Sequence, residues 1–170
     1  VIVSESGIRD NATVRRLGSH AHAFLVGSHL TSQRDIDRAA RNLVFGRNKV
    51  CGITTSSTAQ AAGAAGARYG GLIFAPDSPR SVSRETAHHI VAAEPGLDYV
   101  AVTRSTDVNK LKRLADIPGL HALQLHAPFQ GDLEGERQLL RRAREAASSL
   151  DIWRAVNRHE ADFAALSGQL

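Results

Sequence analysis

Residues 71–102 read GLIFAPDSPRSVSRETAHHIVAAEPGLDYVAV, one full repeat of the pattern that organises the whole chain. Gly71-Leu72-Ile73-Phe74 is a short apolar run bounded by small residues, which reads as a buried strand. A loop stiffened by Pro76 and Pro79 follows. Arg84 to Glu94 then carries helix-like periodicity. Ser83 stands ahead of it, where a hydroxyl can accept from the free N–H groups of a first turn. Tyr99-Val100-Ala101-Val102 is the next strand. Strands this short and apolar suit a parallel sheet covered on both faces.

Working outward, the same unit recurs along the chain. Val1-Ile2-Val3 precedes a helix-like segment from about Asn11 to Leu17, and Ala23-Phe24-Leu25-Val26 precedes one from about Arg34 to Leu43. Lys49-Val50-Cys51 precedes an Ala-rich stretch from about Thr58 to Ala67. After Tyr99 to Val102 comes a helix from about Val108 to Asp116. Ala122-Leu123-Gln124-Leu125 precedes one from about Leu133 to Ser148. Ile152 to Val156 forms the last strand, and its helix has barely begun at the final residues. Asp10, Ser32, Ser57, Ser83 and Thr106 are the expected helix caps. Seven strand–helix units place the chain in the α/β class, with a parallel sheet. The pattern fits both a barrel wall and an open doubly wound sheet. The 170 residues are fewer than the roughly 250 typical of a closed (β/α)8 barrel. The candidate seam is Asn42 to Asn48, with Gly46 as the break.

The chain starts at Val1 and contains no Met, so a truncated N-terminus is expected. No signal-peptide pattern opens it, and no apolar run is long enough to span a bilayer. The single cysteine, Cys51, has no internal partner, which fits a reducing cytoplasm. The formal charge is +4 and the sequence pI about 9.8. Positive charge gathers in helix-like stretches such as Arg137 to Arg144, which read as solvated outer faces. Aromatic residues make up 5% and do not interleave with the basic ones. A single-strand stacking platform needs both, so nucleic acid is not an expected partner. His88 and His89 are helix neighbours facing different ways, and His20 and His22 have no partner Cys. No metal site is expected.

Four segments lie directly after strands, at the functional edge of parallel α/β folds. Ser4-Glu5-Ser6-Gly7-Ile8 and Gly27-Ser28-His29-Leu30 follow the first two. Their small residues allow backbone N–H groups to approach an anion, although Gly and Ser also make plain tight turns. Asn48 to Thr54 places Cys51 at a strand end before Gly52, where a thiol can take a proton from carbon. The plainer alternative is a buried, inert cysteine. Lys49 shares the Cys51 face of the strand and reads as a structural charge inside the sheet. Phe74 to Ser81 holds Arg80 on a stiff turn, where its planar fork can clamp a carboxylate or phosphate, or simply face solvent. His126, after Leu125, sits on the same edge.

From about Asn48 onward the chain resembles phosphoribosylanthranilate isomerase. The residues that carry the likeness are Lys49-Val50-Cys51-Gly52-Ile53-Thr54, Tyr69-Gly70-Gly71-Leu72-Ile73-Phe74, Ser78-Pro79-Arg80 and Gln124-Leu125-His126. Before the seam, Ser4 to Ile8 and Phe24 to Ser28 look like the last two strands of indole-3-glycerol-phosphate synthase. The order resembles a bifunctional synthase–isomerase. The resemblance implies units of two incomplete (β/α)8 barrels, residues 1–47 and 48–170. It implies an Amadori rearrangement of N-(5-phosphoribosyl)anthranilate, then decarboxylating ring closure to indole-3-glycerol phosphate. Cys51 corresponds to the general base, and Arg80 contacts the anthranilate part. Ser6, Gly7, Gly27 and Ser28 match the synthase phosphate grip, Glu5 an active-site carboxylate, and His126 a substrate contact. The family usually has Gly after that histidine, whereas here Ala127-Pro128 follows. The implied partner is a phosphosugar alone, with no cofactor, metal, membrane or nucleic acid, in a monomeric parent with two fused barrels. The isomerase acid, the isomerase phosphate loops and the synthase lysines lie on strands absent from the 170 residues, so the piece alone is expected to be inactive. From the residues alone, a non-enzymatic α/β module that holds a phosphorylated ligand is the alternative.

Overall fold

A computed structural model describes residues 1–157. Seven strands occur there in two parallel sheets. The first pairs β1 (Val3–Glu5) with β2 (Ala23–Leu25). The second holds β3 (Lys49–Cys51), β4 (Tyr69–Ile73), β5 (Asp98–Thr103), β6 (Leu120–Leu125) and β7 (Asp151–Arg154), ordered as in the sequence. The helices are α1 (Asn11–Leu17), α2 (Ser28–Thr31), α3 (Ile36–Phe45), α4 (Ser56–Ala64), α5 (Arg84–Ala93), α6 (Val108–Ala115) and α7 (Leu133–Ala146).

The alternation of side chains along each strand decides which face meets the helices. Leu72 and Tyr99 point one way and bury against Ala59 and Ala62 of α4 and Ala87 and Ile90 of α5. Ala101, Leu123 and Leu125 do the same against α6 and α7, through Leu111, Leu139 and Ala143. The intervening residues Tyr69, Ile73, Val100, Val102 and Ala122 form a separate cluster on the opposite face, closed by Trp153 rather than by a helix. A doubly wound sheet would carry helices on both faces and reverse its strand order at a switch point. Sequential order and a one-sided helix layer are those of a barrel wall.

Contacts across the inner face show how strongly this sheet curls. β4 and β7 are three strands apart, about 14 Å along a flat sheet. Yet the Tyr69 and Trp153 rings meet edge to face with centroids 4.9 Å apart. Lys49 on β3 likewise hydrogen-bonds to Gln124 on β6, with its ammonium 5.9 Å from the Trp153 ring. Lys49 is therefore an interior charge, as its place on the strand suggested.

Several local expectations are corrected. Asp10 and Ser83 cap their helices, accepting from Thr13 N at 2.7 Å and Thr86 N at 3.0 Å. At the other three starts the caps are Asp35, Thr55 and Asp107, not Ser32, Ser57 and Thr106. In each case the residue with extended backbone aims its oxygen at the N–H three residues on. Ser32 instead ends α2, a four-residue helix inside the stretch read as an open loop. The charged face of α7 is also not wholly solvated. Glu136 is completely buried, gripped in two places by Arg154 of β7 at 2.7 and 2.9 Å, and accepts from Gln130 N at 2.9 Å. The Arg154 bonds hold its carboxyl below the usual carboxylate range, against the opposing pull of burial. The helix expected after β7 lies outside the described residues.

Candidate active site

The C-terminal ends of β3 to β6 converge on one cavity of about 500 Å³. Cys51 closes β3 and is exposed to it. In register beside Cys51 is Gly71, where a Cβ would stand 2.9 Å from the Cys51 sulfur. Contacts that short do not persist, so glycine at 71 leaves the thiol its room.

The loop after β4 is bent back onto its own strand. Val82 N donates to Ile73 O at 2.9 Å, and Ser81 Oγ donates to the same oxygen at 3.3 Å. This fold-back carries Arg80 over β3, where its guanidinium donates to Cys51 O at 3.1 Å. Gly52 makes that approach feasible. Its φ is +88°, a left-handed value that glycine adopts freely, and a Cβ there would lie 2.7 Å from the Arg80 side chain. The base candidate and the anion-clamp candidate thus share one rim.

His126 lines the cavity from the end of β6, its backbone N–H donating to Thr103 O at 2.8 Å. Two lining residues escaped the sequence reading. Arg104, directly after β5, is exposed and pairs with Asp77 of the β4 loop at 2.7 Å. Its position after a strand was the available signal, but Thr103 to Thr106 reads as an ordinary helix approach. The pair bridges two loops at the mouth. Lys49, Arg80, Arg104 and His126 outnumber the one carboxylate, Asp77, around this lining, so with the thiol they ring a space suited to an anionic small molecule. Among the described residues no three His, Cys, Asp or Glu side chains gather closely enough to hold a metal ion.

Glu5, Ser6, Gly7, Gly27 and Ser28 are not part of this cavity. They sit at the C-terminal edge of the β1–β2 sheet, where Glu5 is in register with Leu25. Ser6 and Gly7 have φ of 65° and 71°, both left-handed. A serine there is uncommon and marks a turn held in an unusual shape. Gly27 precedes α2, and Ser28 begins it. His22, uninformative in the sequence, accepts from Ile2 N through Nδ1 at 3.0 Å and secures the start of β1.

A curved parallel sheet with outer helices, carrying a thiol and an arginine at the C-terminal mouth, defines a protein built from (β/α) units of the TIM-barrel kind. The particular family follows from comparison. Residues 48–162 match the family model of N-(5'phosphoribosyl)anthranilate (PRA) isomerase, and residues 1–43 match that of indole-3-glycerol phosphate synthase. The chain belongs to the phosphoribosylanthranilate isomerase family, preceded by a synthase-like segment. It is 56% identical over 158 residues to the tryptophan biosynthesis protein TrpCF of Corynebacterium glutamicum, covering 92% of this chain and 33% of that protein. The Salmonella typhi protein of the same name is 40% identical, covering 92% and 33%. The chain thus spans about a third of the length of the curated relatives it matches. Among solved structures, phosphoribosyl anthranilate isomerase from Thermotoga maritima aligns with a TM-score of 0.55 at 29% identity, covering 69% of this chain and 55% of that one. The Thermus thermophilus enzyme aligns at 0.52 and 30%, covering 65% and 51%.

Proposed function

We propose that these residues are the junction of a bifunctional enzyme of tryptophan biosynthesis, with residues 1–47 closing a synthase barrel and 48–170 opening an isomerase barrel. The isomerase reaction is an Amadori rearrangement of N-(5-phosphoribosyl)anthranilate to carboxyphenylamino-deoxyribulose 5-phosphate. The ribose ring opens to an iminium, a base removes the proton from C2′, and the resulting enolamine becomes the ketone. Cys51 is the base. Arg80 holds the anthranilate carboxylate, placing C2′ under the sulfur, and His126 hydrogen-bonds the sugar. In the synthase reaction Ser6, Gly7, Gly27 and Ser28 hold the phosphate, and Glu5 faces the reacting chain. That reaction loses CO2 and water to give indole-3-glycerol phosphate.

The observation that carries this reading is the shared rim of Cys51 and Arg80 on one small-molecule-sized cavity. The division at Arg47 and Asn48 draws support from the two separate sheets and from the two adjacent family matches. The reading takes the whole protein as a monomeric, cytoplasmic enzyme that binds phosphosugars and not nucleic acid. Among the described residues no helix is long and apolar enough to cross a membrane.

The test is Cys51→Ala in the whole protein. Isomerase turnover should fall about 100-fold or more, the typical worth of a positioned base, while synthase turnover stays unchanged. Near-normal isomerase turnover would remove Cys51 from the mechanism. Arg80→Ala should raise KM for the anthranilate substrate more than it lowers kcat, because it removes a contact made before chemistry begins.

A further inference from the structure

A second cavity, of about 490 Å³, opens between α5 and α6 on the outer side of the same loops. Its floor is apolar, made by Phe74, Pro76 and Leu114. Its walls are cationic, and among the described residues its only carboxylate is Asp77, already paired with Arg104. Arg84 is occupied too, donating to the Arg113 and Asp116 carbonyls at the end of α6. Lys110 and Arg113 remain, three residues apart and therefore on one face of α6, exposed toward the opening. Asp107, the acid nearest to Lys110 in sequence, caps the helix by accepting from Lys110 N at 2.8 Å.

An apolar slot with two cations at its lip, neither in an ion pair with an acid among the described residues, selects a ligand with one flat apolar body and one negative group. The volume lies within the range of small-molecule sites, about 300 to 1,000 Å³. We propose that this cavity binds a planar aromatic monocarboxylate of the benzoate type, its ring on Phe74 and Leu114 and its carboxylate between Lys110 and Arg113. The site is separate from the Cys51 cavity but shares a wall with it. Arg104 and Asp77 line both.

The experiment is calorimetric titration of the full chain with 4-fluorobenzoate, with 4-fluorobenzamide as the uncharged analogue of the same shape. Saturable submillimolar binding of the acid is expected, and the amide should bind far more weakly. The double variant Lys110→Glu/Arg113→Glu alters two exposed side chains, and its melting curve reports that it has folded. It should weaken the acid at least about tenfold, as loss of a charge-assisted contact implies. Arg80→Ala should leave the affinity within about twofold, because Arg80 lines the Cys51 cavity and not the outer one. Undiminished affinity in the folded double variant, loss of binding in Arg80→Ala, or no saturable binding by the parent would each overturn the proposal.

Discussion

At the level of single residues, the candidate site depends on what strand β4 leaves out. Gly71 has no side chain where one would strike the Cys51 sulfur, and the backbone of Cys51 is only 3.1 Å from the same point. Gly71→Ala therefore pushes against both a thiol and a strand. It should lower thermal stability by about 1 to 3 kcal/mol, the usual cost of overpacking. Isomerase turnover in the whole protein should fall along with the melting temperature, since the base is displaced. A variant that melts as the parent and turns over normally would show that the thiol has other room. The place of Cys51 at the mouth was legible from its position at a strand end before Gly52, but its exposure was not, since a buried, inert thiol fits the same sequence. Arg104 was not legible. Its partner Asp77 lies 27 residues earlier on another loop, and no periodicity relates the two.

Among the elements, β7 is tied to α7 by Arg154 and Glu136, and the tie also holds the 126–130 connection, with Arg154 donating to Ala127 O at 2.8 Å. Both side chains are almost wholly enclosed. Breaking one partner strands a buried charge, so Glu136→Ala should destabilise the protein by about 3 to 5 kcal/mol in urea unfolding. The pair also sets an acid limit. A carboxyl held below its ordinary value of 4.5 contributes fully at higher pH, and the contribution is lost as pH falls from there through its lower folded value. Glu136→Gln should accordingly flatten the acid arm of the stability–pH curve below about pH 5. A parallel acid arm in the variant would assign the loss to other carboxyls. The helix α7 was legible from its periodicity, but the burial of one of its acids was not. Glu136 looks like any solvated charge until a strand 18 residues later supplies its partner. Cap positions were legible only to within a few residues. Several oxygen-bearing residues stand near each start, and backbone conformation chooses among them.

Across the whole molecule, α3 fastens the synthase-like segment to the base of the larger sheet. Asp98, at the start of β5, receives Arg38 from α3 and Arg68 from the foot of β4, the latter at 2.5 Å. Arg41 adds a bond from α3 to Gly63 O at 3.0 Å. A double-mutant cycle of Arg38→Ala with Asp98→Asn should show a coupling of about 1 to 2 kcal/mol in thermal unfolding, reduced by salt because Arg38 is partly exposed. Additive effects would mean that the two segments are not joined electrostatically. The α/β class was readable from seven alternating units. The choice between a barrel wall and a doubly wound sheet was not, because both obey the same alternation. Curvature decides it, and curvature is set by pairs such as Tyr69 with Trp153 that only the folded chain brings together.

The order of strands β3 to β7 bears on how the protein is made. Each strand hydrogen-bonds to the one synthesised just before it, so every addition closes only a short loop of about one helix. As the polypeptide leaves the ribosome, a nascent strand finds its template already exposed and need not wait for a distant segment. Such local connectivity favours rapid growth of the sheet from its amino-terminal side.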